Sequence, residues 1–161
     1  MGEPAGSKYV GRAIWRHPKT ALLHCNASDL GWGAALDMAS SLPPAHGFWT
    51  PEEYEWHITC KKLVAVRLAV QYFLPRLAGR RVLLREDNMA VVYILTNLVS
   101  RSPQPMHELR KLWWLLDSMD IELRPLYIRS AENIIADYAS RLAARGDYML
   151  NPALLDDLQR R

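Results

Sequence analysis

Two aspartates stand where one secondary-structure element gives way to the next, a position from which a carboxylate can reach a shared site. Asp87 closes the apolar run RRVLLRED at the step into a helix, and Asp137 lies in the opening turn of NIIADYASR. Carboxylates projecting from the carboxyl edge of a sheet are hard oxygen donors that suit a divalent cation and metal-assisted phosphodiester cleavage. Taken singly, each has a plainer explanation: Asp87 caps a helix, and Asp137 favours the positive end of its own. Their placement on successive elements favours the chemical reading. Other metal-prone side chains add nothing to it. His24, His46 and His107 have no ligand spacing, His57 reads as structural, and Cys25 and Cys60 form no CxxC pair.

The elements that must carry these acids are legible in the apolar pattern. TALLHCNAS and WGAALDM, joined by a turn around Asp29-Leu30-Gly31, read as an antiparallel hairpin, with small residues marking a closely approached second strand. HGFW adds a third strand. Thr50-Pro51-Glu52-Glu53 has the chemistry of a helix start and reads as a brief turn. A helix capped by Thr59 is predicted to run to Leu77, bending at Pro75 and closing at Gly79. The strand RRVLLRED, the helix NMAVVYILTNLVS and the helix MHELRKLWWLLDSMD follow, the last with Leu109, Leu112, Trp113 and Leu116 facing the core. IELRPLYIRS reads as a strand bent at Pro125, and NIIADYASRLAA as a final helix. The order βββ-α-β-α-α-β-α implies a mixed α/β sheet with an antiparallel edge.

Composition narrows the classes. The chain has 161 residues, half of them hydrophobic, enough for a core and unlike a disordered sequence. No run of about 18 apolar residues occurs, and the first residues lack a secretory pattern. No membrane association is expected, and a reducing compartment, cytoplasmic or nuclear, is. The net charge of +3 permits nucleic-acid binding without demanding it. Lys61-Lys62, Arg80-Arg81, Arg110-Lys111 and Arg160-Arg161 each read, alone, as a solvated surface pair.

Five stretches in order carry a resemblance: NASDLGWGA (26–34), GFWTPEEYEWHIT (47–59), KLVAV (62–66), EDN (86–88) and YIRSAENIIADYASR (127–141). Together they resemble the ribonuclease H domain of retroelement reverse transcriptases, especially tyrosine-recombinase (DIRS-type) and related LTR retrotransposons. The resemblance implies an α/β fold, an RNase H-like mixed sheet in which an antiparallel three-stranded meander and two further strands are flanked by helices. It places that domain at residues 20–145, after a lead-in segment at 1–19 and before a tail at 146–161.

In that family a quartet of carboxylates holds paired Mg²⁺ ions that cut the RNA strand of an RNA–DNA hybrid. Position by position, the resemblance puts the first acid on Asn26, the second on Lys62, the third on Asp87 and the fourth on Asp137. An amide and an ammonium thus replace two carboxylates. About four negative charges fall to about −1, too little for two divalent ions. No metal is expected, or Asp87 and Asp137 alone as donors, with the Lys62 ammonium pairing with Asp87 or Asp137 in the metal's place. Asp29, Glu55 and Glu86 are nearby acids without the register of the motif. Asn88 and Asn133 match positions near the family's substrate strand and equally suit helix caps. Arg110, Lys111 and an exposed Trp114 would suit a nucleobase or a protein partner. The leading expectation is a catalytically inactive domain, a pseudoenzyme, that binds RNA or an RNA–DNA hybrid or serves as an assembly module, with a protein partner or the remainder of a larger polyprotein. The rival is a Mg²⁺-dependent ribonuclease H represented by an inactivated variant.

Overall fold

A computed structural model describes residues 20–37 and 42–145. The lead-in expected at 1–19 and the tail expected at 146–161 lie outside the described residues. Strand β1 (Thr20–Ala27) turns at Ser28–Leu30 into β2 (Gly31–Asp37), and β3 (Ala45–Phe48) pairs with β2, all antiparallel. Strand β4 (Arg81–Glu86) pairs parallel with β1, and β5 (Glu122–Tyr127) pairs parallel with β4. The sheet order is β3-β2-β1-β4-β5, the meander-plus-two arrangement expected from the sequence. Pro125 sits in β5, which is an edge strand, where a missing N–H disrupts no interior ladder.

The helical segments are α1 (Pro51–Tyr54), α2 (Ile58–Tyr72), α3 (Leu74–Leu77), α4 (Met89–Asn97), α5 (Pro103–Ser118) and α6 (Ile134–Arg145), with a 3₁₀ turn at Ser130–Glu132. Two expectations need correction. The cap of α2 is His57 rather than Thr59: its side chain accepts the Thr59 N–H at 3.2 Å. Lys61 and Lys62 therefore lie beyond the opening turn rather than in it. The predicted helix to Leu77 is also two helices, α2 and α3, joined at Phe73. Pro75 has no N–H for an interior turn, but fits the start of a new one.

Register divides the sheet into two faces. Ala21, Leu23, Cys25 and Ala27 of β1 join Val82 and Leu84 of β4 in the core beneath α2, α4 and α5, with Leu63, Val66, Val91 and Leu112 buried against them. The alternate residues of β1 face α6, which packs on β2, β1 and β3. Gly33 permits that approach: a Cβ there would lie 2.2 Å from the Ser140 backbone nitrogen. The pleat thus delivers Asn26 to one face and Glu86 to the other at the same end of the sheet.

Candidate functional site

At the carboxyl ends of β1 and β4, Asn26 from β1, Glu86 from β4 and Asp87 just beyond it converge on the Lys62 ammonium. Lys62 comes from α2, whose exposed turns face away while Lys61 and Lys62 are 5% and 6% exposed. The expectation of a solvated surface pair is therefore corrected. Lys62 points into the sheet edge, and the Lys61 ammonium lies 5.2 Å from the centre of the Tyr54 ring, a cation–π contact.

Lys62 Nζ donates to Asn26 Oδ1 at 2.8 Å, to Glu86 Oε1 at 3.2 Å and to Asp87 Oδ1 at 2.5 Å. An ammonium has three N–H bonds, and here each finds one oxygen. The other end of the Asn26 amide, Nδ2, donates to Asp137 Oδ1 at 2.9 Å. Asp137 also receives Arg141 Nε on both carboxylate oxygens, at 3.1 and 3.2 Å, one helical turn away on α6. Asn26, Lys62, Asp87 and Asp137 are thus one connected network. The ammonium contacts Asp87, and it reaches Asp137 only through the Asn26 amide.

Charge balance follows from burial. Desolvation opposes a charged Lys62, but Glu86 and Asp87 outweigh it and hold the ammonium above the ordinary lysine range. Burial likewise opposes a charged Asp87, and the Lys62 hydrogen bond reverses that, leaving the carboxyl below its usual range. Glu86 behaves differently. It is fully buried, desolvation dominates, and its pKa rises to about 7 despite the nearby ammonium.

Glu86 is the site residue the motif register missed. Its backbone neighbours carry the signal: Val82, Leu84 and Glu86 share one parity of β4, so a carboxylate follows two core residues inward. It also accepts the Asn88 backbone N–H at 3.0 Å, shaping the turn that presents Asp87.

The remaining candidates separate. Asn88 caps α4, its Oδ1 accepting from Ala90 N at 2.9 Å and Val91 N at 3.2 Å. Asn133 is fully buried and donates from Nδ2 to the Cys25 carbonyl at 2.9 Å, tying the start of α6 to β1. That burial corrects the expectation of a substrate contact. Arg110 is exposed, whereas Lys111 is engaged by Glu108 at 3.0 Å. Trp114 is 66% exposed and stacks edge-on against Trp113. Trp113 itself is 42% exposed, correcting its placement in the core stripe, because α5 turns Glu108, Leu109 and Leu112 inward instead. Among the described residues no group of three or more His, Cys, Asp or Glu side chains is arranged to hold a metal ion.

The sheet order and the polar cluster at its carboxyl edge define an RNase H-like α/β domain. Residues 16–116 match the family model of the RNase H-like domain found in reverse transcriptase, and the chain belongs to that family. No curated relative matches the sequence. Among solved structures, RNase H1 from the halophilic archaeon Halobacterium salinarum is similar at a TM-score of 0.63 and 15% identity, over 79% of this chain and 97% of that one. LC11-RNase H1 in complex with an RNA/DNA hybrid is similar at 0.60 and 15%, over 74% and 91%. The foamy viral protease–reverse transcriptase in complex with double-stranded DNA is similar at 0.50 and 14%, over 80% of this chain but 27% of that longer one. At such identities the likeness is one of fold. Asp137 lies beyond the matched residues, yet the fold brings it to Asn26.

Proposed function

We propose that this domain is a non-catalytic member of its family, in which an internal ammonium stands where the family holds metal, and that it binds RNA or RNA–DNA hybrid. The observation that carries the reading is the threefold engagement of Lys62 Nζ by Asn26, Glu86 and Asp87. A Mg²⁺ ion needs oxygen ligands at about 2.0–2.1 Å in near-octahedral order. Here the oxygens that would supply them surround a cation already, one carried on the backbone and held charged by its neighbours. The donor set does not fit paired divalent ions. With its three N–H bonds engaged, the ammonium is also poorly placed to bind a substrate phosphate, which supports a structural role for it.

Backbone and sugar contacts to a nucleic acid do not depend on the metals, so binding can outlast cleavage. The hybrid bound by LC11-RNase H1 supports that ligand class for this chain. The motif set supports an origin in DIRS-type or related LTR retrotransposons, and the foamy viral relative supports a place within a longer polyprotein. A second reading, a protein-assembly module, is favoured by one feature. Two adjoining apolar grooves of about 200 Å³ each lie between α4 and α5, both lined by Leu98, Leu109 and Trp113.

The test is cleavage and binding of an RNA–DNA hybrid with Mg²⁺ or Mn²⁺. The unmodified chain is expected to bind without cutting, and the Asn26→Asp, Lys62→Glu double variant to cut. Robust cleavage by the unmodified chain overturns the reading. Absence of salt-sensitive affinity for hybrid, duplex RNA or single strands hands the case to the assembly module.

A further inference from the structure

Helix α6 covers only part of its face of the sheet. It packs on β2, β1 and β3, whereas β4 and β5 carry their helix, α4, on the opposite face, where Val82 and Leu84 are buried; on the α6 side Leu83 is half-buried and Arg124 and Leu126 are exposed. Register fixes what that half displays: Arg81, Leu83 and Arg85 from β4 beside Glu122, Arg124 and Leu126 from β5. Three guanidinium groups stand there against one carboxylate. Other described acids stand at its margins: Asp37 at the end of β2, paired through Leu22 to Leu83, and Asp137 of α6, bonded to Asn26 and to Arg141. The adjacent imidazole, His24, is pushed toward its neutral form by burial and then by Arg85.

The single acid organises the cations more than it neutralises them. Glu122 Oε2 accepts from Arg81 Nε at 3.0 Å, while Oε1 accepts from Arg124 Nε at 2.8 Å and Nη2 at 2.6 Å. Its carboxyl is held below the usual range, by Arg124 first, so the clamp stays ionised. Among the described residues, Arg81 engages an acid only through Nε, which leaves its terminal amino groups for another anion. Strand geometry sets Arg81, Arg124 and Arg85 in a zigzag with Cα atoms about 8 Å apart. Arg124 and Arg81 are anchored at one edge and remain substantially exposed, at 62% and 40% of their side chains.

We propose that this half-face is a phosphate-backbone track for nucleic acid, outside the carboxylate–ammonium cluster and on the opposite sheet face from Glu86. The inference rests on the nucleic-acid reading of the domain and names the surface that would do the holding. The chemistry is charge-complementary and flat. Prealigned guanidinium groups bind phosphate oxygens through paired N–H donors, and among the described β4 and β5 residues of this face none is an aromatic that could read bases. Binding through it is therefore insensitive to base sequence and steeply dependent on salt.

The test compares the full chain with an Arg81→Gln, Arg85→Gln, Arg124→Gln variant and the matching triple Lys variant, titrated with RNA–DNA hybrid and single-stranded RNA across salt. Thermal melts verify that each is folded. The Gln variant is expected to lose affinity at least tenfold at low salt, with the log–log salt slope falling by about 2–3, and the Lys variant to keep most of the slope. An Arg110→Gln, Lys111→Gln variant on α5 is expected to change it by less than one. If the chain binds nucleic acid and the Gln variant keeps full affinity and slope, the track is wrong while the domain's nucleic-acid reading stands. If the unmodified chain binds neither ligand, both fail together. Equal, variant-sensitive binding of polyglutamate overturns the track in favour of an acidic protein.

Discussion

Helix α2 contributes a cation to each of two buried ionic clusters, and the two are built to different standards. Lys62 meets three oxygens, each at hydrogen-bonding distance, and its partner Glu86 is fully buried. Arg67 meets the equally buried Glu108 of α5 at 3.5 Å, without a well-formed hydrogen bond, and Lys111 supplies a second cation from the solvent side. The Arg67 cluster tolerates loose geometry because two of its members reach water. The Lys62 cluster has little such outlet, and all three ammonium donors find an acceptor, although Glu86 Oε2, like Glu108 Oε2, has no hydrogen-bond partner. A buried cation with every N–H matched is a built site, whereas one held by proximity is packing.

The sharpest way to break this contrast is to delete the two charges in turn. Lys62→Met is expected to cost about 3–5 kcal/mol in denaturant unfolding, because it strands buried carboxylates. Glu108→Gln is expected to cost about 1–2 kcal/mol, since Arg67 and Lys111 can turn to solvent. Equal losses at the two sites would erase the distinction.

Acidity sharpens it further. The fold holds a proton on Glu86 up to about pH 7, whereas the unfolded chain releases it near 4.5. Between those values the native state binds more protons, so this group's contribution to stability falls as pH rises through the window. Asp87 acts in the opposite sense only at lower pH, losing its contribution as pH falls through its depressed folded value. Melting temperatures from pH 5 to 8 should therefore decline, and Glu86→Gln should flatten the decline; an unchanged slope in that variant would remove Glu86 as its source. The smallest effect belongs to the exposed Arg81–Glu122 pair, where Arg81→Ala should shift stability by less than about 0.5 kcal/mol.

Much of this architecture was legible in the apolar pattern, because hairpin turns and strand parity act locally. The turn between β1 and β2 follows from residue types at its own position and the mixed sheet from the order of strands and helices, whereas Pro125, expected to bend its strand, lies within an uninterrupted β5. Legibility stopped where an outcome depended on contacts between distant segments. The cap of α2 is a local exception: the His57 ring accepts the Thr59 N–H two residues on, where the sequence pattern favoured the Thr59 hydroxyl as cap. Trp113 fits the apolar stripe of α5, yet Leu109 and Leu112 fill the space against α2 and leave the indole half outside. At the site, the set Asn26, Lys62, Asp87 and Asp137 was visible in the motifs. The part played by Glu86 was not, because motif register ranked it below Asp87 while strand parity pointed it inward.

On the proposed reading, this chain's own cation, Lys62, excludes metal from the site. A crystal soaked in manganese and measured for anomalous scattering addresses that directly. No peak is expected among Asn26, Lys62, Glu86, Asp87 and Asp137 in the unmodified chain, with density appearing there in the Asn26→Asp, Lys62→Glu variant. Two well-occupied manganese peaks in the unmodified chain, with the Lys62 side chain swung away, would contradict it.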